Sequence, residues 1–145
     1  MSEENKALVR RWVEECQSQH RLEVMEEMFA PDMVNHDAPS GLPSPQGLEG
    51  VRQFFEMIFA AFPDFRAVVH DQIAEGDKVV TRKMVSGTHL GGFLGMPASG
   101  KYMEFQVIDI IRVVNGKFSD HWSVQDQLGM MQQLGVIPTP DQPAQ

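Results

Sequence analysis

Residues 105–126, FQVIDIIRVVNGKFSDHWSVQD, constrain the fold more than any other stretch. Two strand-like runs flank Asn115-Gly116. Asn-Gly is the strongest two-residue hairpin signal, because both turn positions need φ > 0. Such a turn sets Val114 opposite Lys117, and the other pairs follow by counting outward. Asp109 then faces Trp122, and Ile111 faces Asp120. Side chains alternate along a strand. One face therefore carries Val107, Asp109, Ile111, Val113, Phe118, Asp120, Trp122 and Val124. The other carries Gln106, Ile108, Ile110, Arg112, Ser119, His121, Ser123 and Gln125.

The first face is the more apolar, so it is expected to form the back wall of a ligand pocket. Asp109 and Asp120 would be diagonal neighbours in it, with backbones roughly 7–8 Å apart. A buried carboxylate must find a hydrogen bond or shift its pKa upward. Two acids beside Trp122 in a low-dielectric site suit general acid or base work. Asp120 and Asp109 are thus the candidate catalytic residues, and Trp122 a candidate for substrate contact. His121 falls on the outer face by this count. A β-bulge would flip part of a strand and change these assignments.

The chain ahead of the hairpin reads as helices followed by strands. Apolar residues at helical spacing predict helices over 2–19, 21–29 and 48–62. A short extended piece over 33–39 carries Asn35 and His36, placed to overhang the pocket mouth. Residues 40–46 are turn chemistry rich in Gly, Pro and Ser. Strands are expected over 65–73, 78–88, 102–114 and 117–125, with a last helix over 126–134 capped by Asp126. The segment 89–101 has four glycines among apolar side chains. It is expected either to fold Phe93 and its neighbours inward or to act as a lid or dimer contact, with His89 at its start. Helices first and an antiparallel meander after them describe an α+β domain over 1–137, a cone whose interior is a natural ligand cavity. Residues 138–145 read as a flexible tail.

At 145 residues, one domain is expected. The net charge of −8 argues against nucleic acid, since phosphate binding needs a basic surface. Cys16 is the single cysteine, so no internal disulfide forms and a reducing, cytoplasmic setting is the simplest reading. No stretch approaches the ~18 apolar residues of a membrane span. No zinc spacing, phosphate loop or dinucleotide fingerprint is present, so no metal or other cofactor is expected.

Taken together, VNHDAP (34–39), AAFPDF (60–65), EGDKVVTRKMVSGTH (75–89), GGFLGMPASGK (91–101) and IDIIRVVNGKFSDHWSVQD (108–126) are familiar. The chain resembles the SnoaL-like polyketide cyclase (ester cyclase) family of the nuclear-transport-factor-2-like superfamily along nearly its whole length. The resemblance implies an α+β cone, a homodimer built through the sheet and a hydrophobic small-molecule substrate. It further implies ring closure by intramolecular aldol condensation without a metal or organic cofactor, hence a lyase or isomerase. A pocket carboxylate in the last strand pair is the acid/base of that family, and the matching position looks like Asp120. Where such cyclases carry a histidine on the partner strand, the nearest position here is Gln106. The set Asp109, Arg112 and Asp120 also resembles that of epoxide hydrolases of this fold, in which two acids and an arginine activate water. A non-catalytic binding module remains the third expectation.

Overall fold

The computed structural model describes residues 2–37, 47–93 and 95–138. The turn expected at 40–46, Leu94, and all but the first residue of the expected tail lie outside these. Helix α1 (Ser2–Arg11) continues into a π-helical segment, Trp12–Ser18, and a 3-10 helix follows at Leu22–Glu27. Then come β1 (Phe29–Asn35), α2 (Leu48–Ala61), β2 (Arg66–Glu75), β3 (Lys78–Thr88), β4 (Tyr102–Val114), β5 (Lys117–Gln125) and α3 (Gln127–Gln133).

The five strands form one sheet in the order β1-β5-β4-β3-β2. The meander β2-β3-β4-β5 is antiparallel, whereas β1 runs parallel to β5. The helices expected over 2–19 and 21–29 therefore need correction. The first rewinds to π geometry at Trp12, and the second is one short 3-10 stretch. Phe29 already opens a strand, partnered by Phe118. Pro31 does not merely stop a helix; it lies inside β1, where a missing N–H is tolerated because β1 is an edge.

The π-helical segment packs on β2, and α2 packs on β1. Trp12 joins the two layers. Its ring meets Phe29 edge-on at 4.7 Å and Phe55 at 5.2 Å between centroids, the geometry aromatic quadrupoles prefer. Along β4 the odd-numbered residues from Met103 to Val113 are buried and the even ones largely exposed. The helices thus cover one face of the sheet and leave the other to solvent, as an α+β cone requires.

The hairpin turn forms as expected. Asn115 and Gly116 have φ of 52° and 75°, and Val114 pairs with Lys117. Asp126 accepts from Gly129 N at 2.8 Å and so caps α3. At the other end of the sheet, Asp64 accepts from Thr88 N at 2.6 Å and from Thr88 Oγ1 at 2.7 Å, which ties the chain leaving α2 to the end of β3.

Candidate active site

One residue decides which side chains reach the interior. Val113 pairs with Phe118, but Arg112 pairs with Asp120, so Ser119 is an extra residue in β5. Beyond this bulge the facing pairs are Ile111–His121, Ile110–Trp122 and Asp109–Ser123. The expected register, with Asp109 opposite Trp122, is therefore wrong by one position. A slip of one residue moves every later side chain to the opposite face. His121, Ser123 and Gln125 turn inward, and Asp120, Trp122 and Val124 turn outward.

The interior holds a cavity of about 420 Å³. Its walls are chiefly aromatic and thioether side chains, among them Trp12, Phe54, Phe55, Met57, Phe105 and Met130. Of the residues expected at the site, Asp109, Asn35 and Phe93 line it. Phe93 reaches in from the glycine-rich segment and packs edge-on against Phe62 at 5.4 Å. Asp120, His36, Trp122, His89 and Gln106 do not line it. Asp120 accepts from His36 Nε2 at 2.9 Å and from Ser119 Oγ at 2.7 Å on the outer side of the sheet. Those two hydrogen bonds, His36 first, hold its carboxyl below the usual carboxylate range. Trp122 stacks on His36 at 4.5 Å, also outside. Gln106 is exposed on β4.

His89 is buried behind Phe62 and ties the glycine-rich segment shut. Its backbone N donates to Lys101 O at 2.9 Å, its O accepts from Gly100 N at 2.8 Å, and its Nδ1 lies 2.9 Å from Ser99 Oγ. Arg112 donates to Asp77 Oδ2 at 2.7 Å on the outer side. Asp109, Arg112 and Asp120 consequently do not converge, as water activation of the epoxide-hydrolase kind would need.

Four polar side chains meet in the apolar interior instead. Asp109 is only 1% exposed. Its Oδ2 lies 3.0 Å from Lys83 Nζ and 3.4 Å from His121 Nε2. His121 Nδ1 lies 3.1 Å from Asn35 Oδ1. The parallel pairing of β1 with β5, which sets Asn35 beside His121, produces that contact. Burial acts to raise the pKa of Asp109, but the Lys83 charge and the His121 hydrogen bond outweigh it. The net effect holds the carboxyl below the ordinary carboxylate value. Oδ1 of the same carboxylate has no hydrogen-bond partner among the described residues.

This is a desolvated anion with one unpartnered oxygen, on a residue that lines space large enough for a small molecule. A carboxylate so placed can take a proton from carbon. His121 can donate to it with Nε2–H, and Asn35 suits either state of the ring, since its amide offers an acceptor or, turned over, a donor. Among the described residues no group of three or more His, Cys, Asp or Glu side chains forms a metal site, and no helix is long and apolar enough to cross a membrane.

Counting from the turn set His121, Ser123 and Gln125 on the wrong face, and Lys83 was not singled out at all. For Lys83 a signal existed: it interrupts the alternation of Val79, Thr81 and Val85 along the buried face of β3. For the bulge there was none in the hydrophobic pattern.

The family model described as SnoaL-like polyketide cyclase matches residues 7–134. An aklanonic acid methyl ester cyclase of Streptomyces peucetius is 30% identical over 139 residues, covering 92% of this chain and 93% of the relative. A nogalonic acid methyl ester cyclase of Streptomyces nogalater is 28% identical over 124 residues, 83% of this chain and 90% of that one. TsrD of Streptomyces laurentii superposes with a TM-score of 0.85 at 26% identity, over 94% of this chain and 98% of its own. With an N-terminal helical layer on a five-stranded mixed sheet, and a match over nearly its whole length, the chain belongs to the SnoaL-like polyketide cyclase family.

Proposed function

We propose that the protein is a cofactor-independent cyclase that closes a ring in a hydrophobic carbonyl compound, with Asp109 as the acid/base. Asp109 Oδ1 removes a proton from the carbon next to a carbonyl. The C–H electron pair becomes the enolate double bond, and the carbonyl electrons move to oxygen. The enolate carbon then forms a carbon–carbon bond to a second carbonyl of the same molecule. The proton held by Asp109 passes to the resulting alkoxide, directly or through His121. Atoms and electrons balance without any co-reactant, as in an isomerisation or, run in reverse, a lyase step.

The observation that carries this reading is the bare Oδ1 of a buried carboxylate in an apolar cavity of about 420 Å³. The names of the relatives support a methyl ester of a polyketide acid as the first substrate to try. Incubation with aklanonic acid methyl ester, followed by chromatography and mass spectrometry, should reveal a product of unchanged mass and altered retention. Asp109→Asn should slow its formation by about 10²–10⁴-fold while the ester still binds. Full turnover by Asp109→Asn would overturn the assignment, and binding of the ester without turnover by the wild type would favour a binding module.

We further propose a homodimer built through the sheet. Ile108 and Val124 are 48% and 78% exposed and face each other on its uncovered side. Cys16 is free and buried, which suits a reducing compartment such as the cytoplasm.

A further inference from the structure

Lys83 is the least expected side chain in the interior. It is 5% exposed on a strand whose inward neighbours Thr81 and Val85 are also buried. A buried ion pair is weak support for a fold, since a well-packed apolar pair often serves as well or better. Structure alone therefore gives little reason for a lysine here. An ammonium carries three N–H donors. Asp109 Oδ2 takes one at 3.0 Å and Gln17 Oε1 a second at 3.2 Å. The third has no acceptor among the described residues, and Lys83 lines the cavity.

We propose that Lys83 is a second catalytic residue, whose free N–H donates to the substrate carbonyl oxygen and stabilises the enolate oxyanion that Asp109 generates. The inference rests on the acid/base reading of the cavity. Proton abstraction moves one negative charge from Asp109 to the enolate oxygen. A cation already in contact with Asp109 has that charge beside it before and after the step. It need not reorganise, which is the condition for strong electrostatic catalysis in a dry site. Lys83 stays an ammonium throughout and neither gains nor loses a proton. Gln17, set by the π-helical segment, accepts from Nζ and helps to position it.

The test uses 4-nitrophenol, a flat acid whose anion mimics an enolate and absorbs visibly. Because Lys83→Met alone strands Asp109, the comparison is made in the Asp109→Asn background. Bound nitrophenol should ionise at least ten-fold more readily in Asp109→Asn than in Asp109→Asn/Lys83→Met. Equal ionisation in the two, or no bound phenolate in either, overturns the role of Lys83. In turnover of aklanonic acid methyl ester, Lys83→Met should lower kcat by about 10²–10³-fold, the loss typical of one oxyanion donor. KM should change only a few-fold, and Lys83→Arg should recover part of the rate. Lost turnover in Asp109→Asn without a nitrophenol difference would uphold the acid/base reading and remove Lys83 from it. A nitrophenol difference in a protein that Asp109→Asn leaves fully active would keep the oxyanion contact and remove the acid/base reading.

Discussion

Arg112 faces Asp120 across the β4–β5 hairpin, whereas its neighbour Val113 faces Phe118. Ser119 is left with no facing residue on β4, and the two carboxylates that strict alternation sets on one face end up on opposite faces of the sheet. Asp109 is buried on the cavity wall with Lys83, and Asp120 is outside with His36.

The two acids should therefore respond differently to the same change. Asp109→Asn should lower turnover by about 10²–10⁴-fold, the range for losing a positioned acid/base. Asp120→Asn removes a contact to His36 on the outer side and should stay within a few-fold of wild type. Steady-state kinetics of both variants on one substrate checks this. The reverse ranking would restore Asp120 as the catalytic carboxylate.

Breaking the buried pair should be costly, and removing it whole should not. Lys83→Met leaves the Asp109 charge uncompensated, which destabilises by about 3–5 kcal/mol. The double variant Asp109→Asn/Lys83→Met should recover most of that loss. Urea denaturation of the two single variants and the double variant measures the coupling directly.

The depressed pKa of Asp109 has a definite sign in pH experiments. Its ionised form persists below the ordinary carboxylate value of about 3.9. The acid limb of kcat/KM should accordingly lie below that value, with activity flat above it on this account. The same linkage makes the contribution of Asp109 to stability complete above about pH 3.9 and lost only as pH falls through the lower, folded-state value. Asp64, held down chiefly by the Thr88 N–H, acts in the same window and direction. An acid limb near neutrality that vanishes in Asp109→Asn would contradict this.

Gly91 lies against the end of α2, where a Cβ would come within 2.5 Å of Ala60 O and 3.2 Å of Ala61 Cα. Backbone cannot yield as a side chain tip does. Gly91→Ala should destabilise by about 1–3 kcal/mol and displace the segment that carries Phe93. A lower melting temperature with a raised KM is the expected pair of readouts.

Ile108→Glu, at the centre of the uncovered sheet face, should convert the proposed dimer to monomer, since a charge there would be buried unpaired. Analytical ultracentrifugation at a protein concentration where wild type is dimeric is the check. An unchanged sedimentation coefficient would place the contact elsewhere.

Much of the architecture was legible because its signals are local. Asn115-Gly116 specifies a two-residue turn by backbone sterics alone. The aromatic stripe of α2 and the alternation of β4 follow from helix and strand periods. The family itself is readable from runs such as those at 75–89 and 108–126. The site was legible in part: counting placed Asp109 on the inner face, chain order set Asn35 near the pocket mouth, and Phe93 was left between an inward fold and a lid; all three line the cavity. Asp120 and Trp122 were not, because Trp122 and Val124 are apolar residues on the outward face. Where both faces of a strand pair carry apolar side chains, hydrophobicity cannot say which one is inside.

The amino-acid sequence by itself determined the α+β class, the hairpin, the inward set of β4 and the family. Only the tertiary structure decided that Ser119 is bulged, that β1 adds parallel to β5, and that Lys83, Asp109, His121 and Asn35 meet. The physical reason is that a bulge and a parallel pairing are settled by contacts between residues far apart in the chain. Lys83 and Asp109 are on neighbouring strands, while Asn35 and His121 are joined across 86 positions. Nothing in the local chemistry of any one of them records where the others will be.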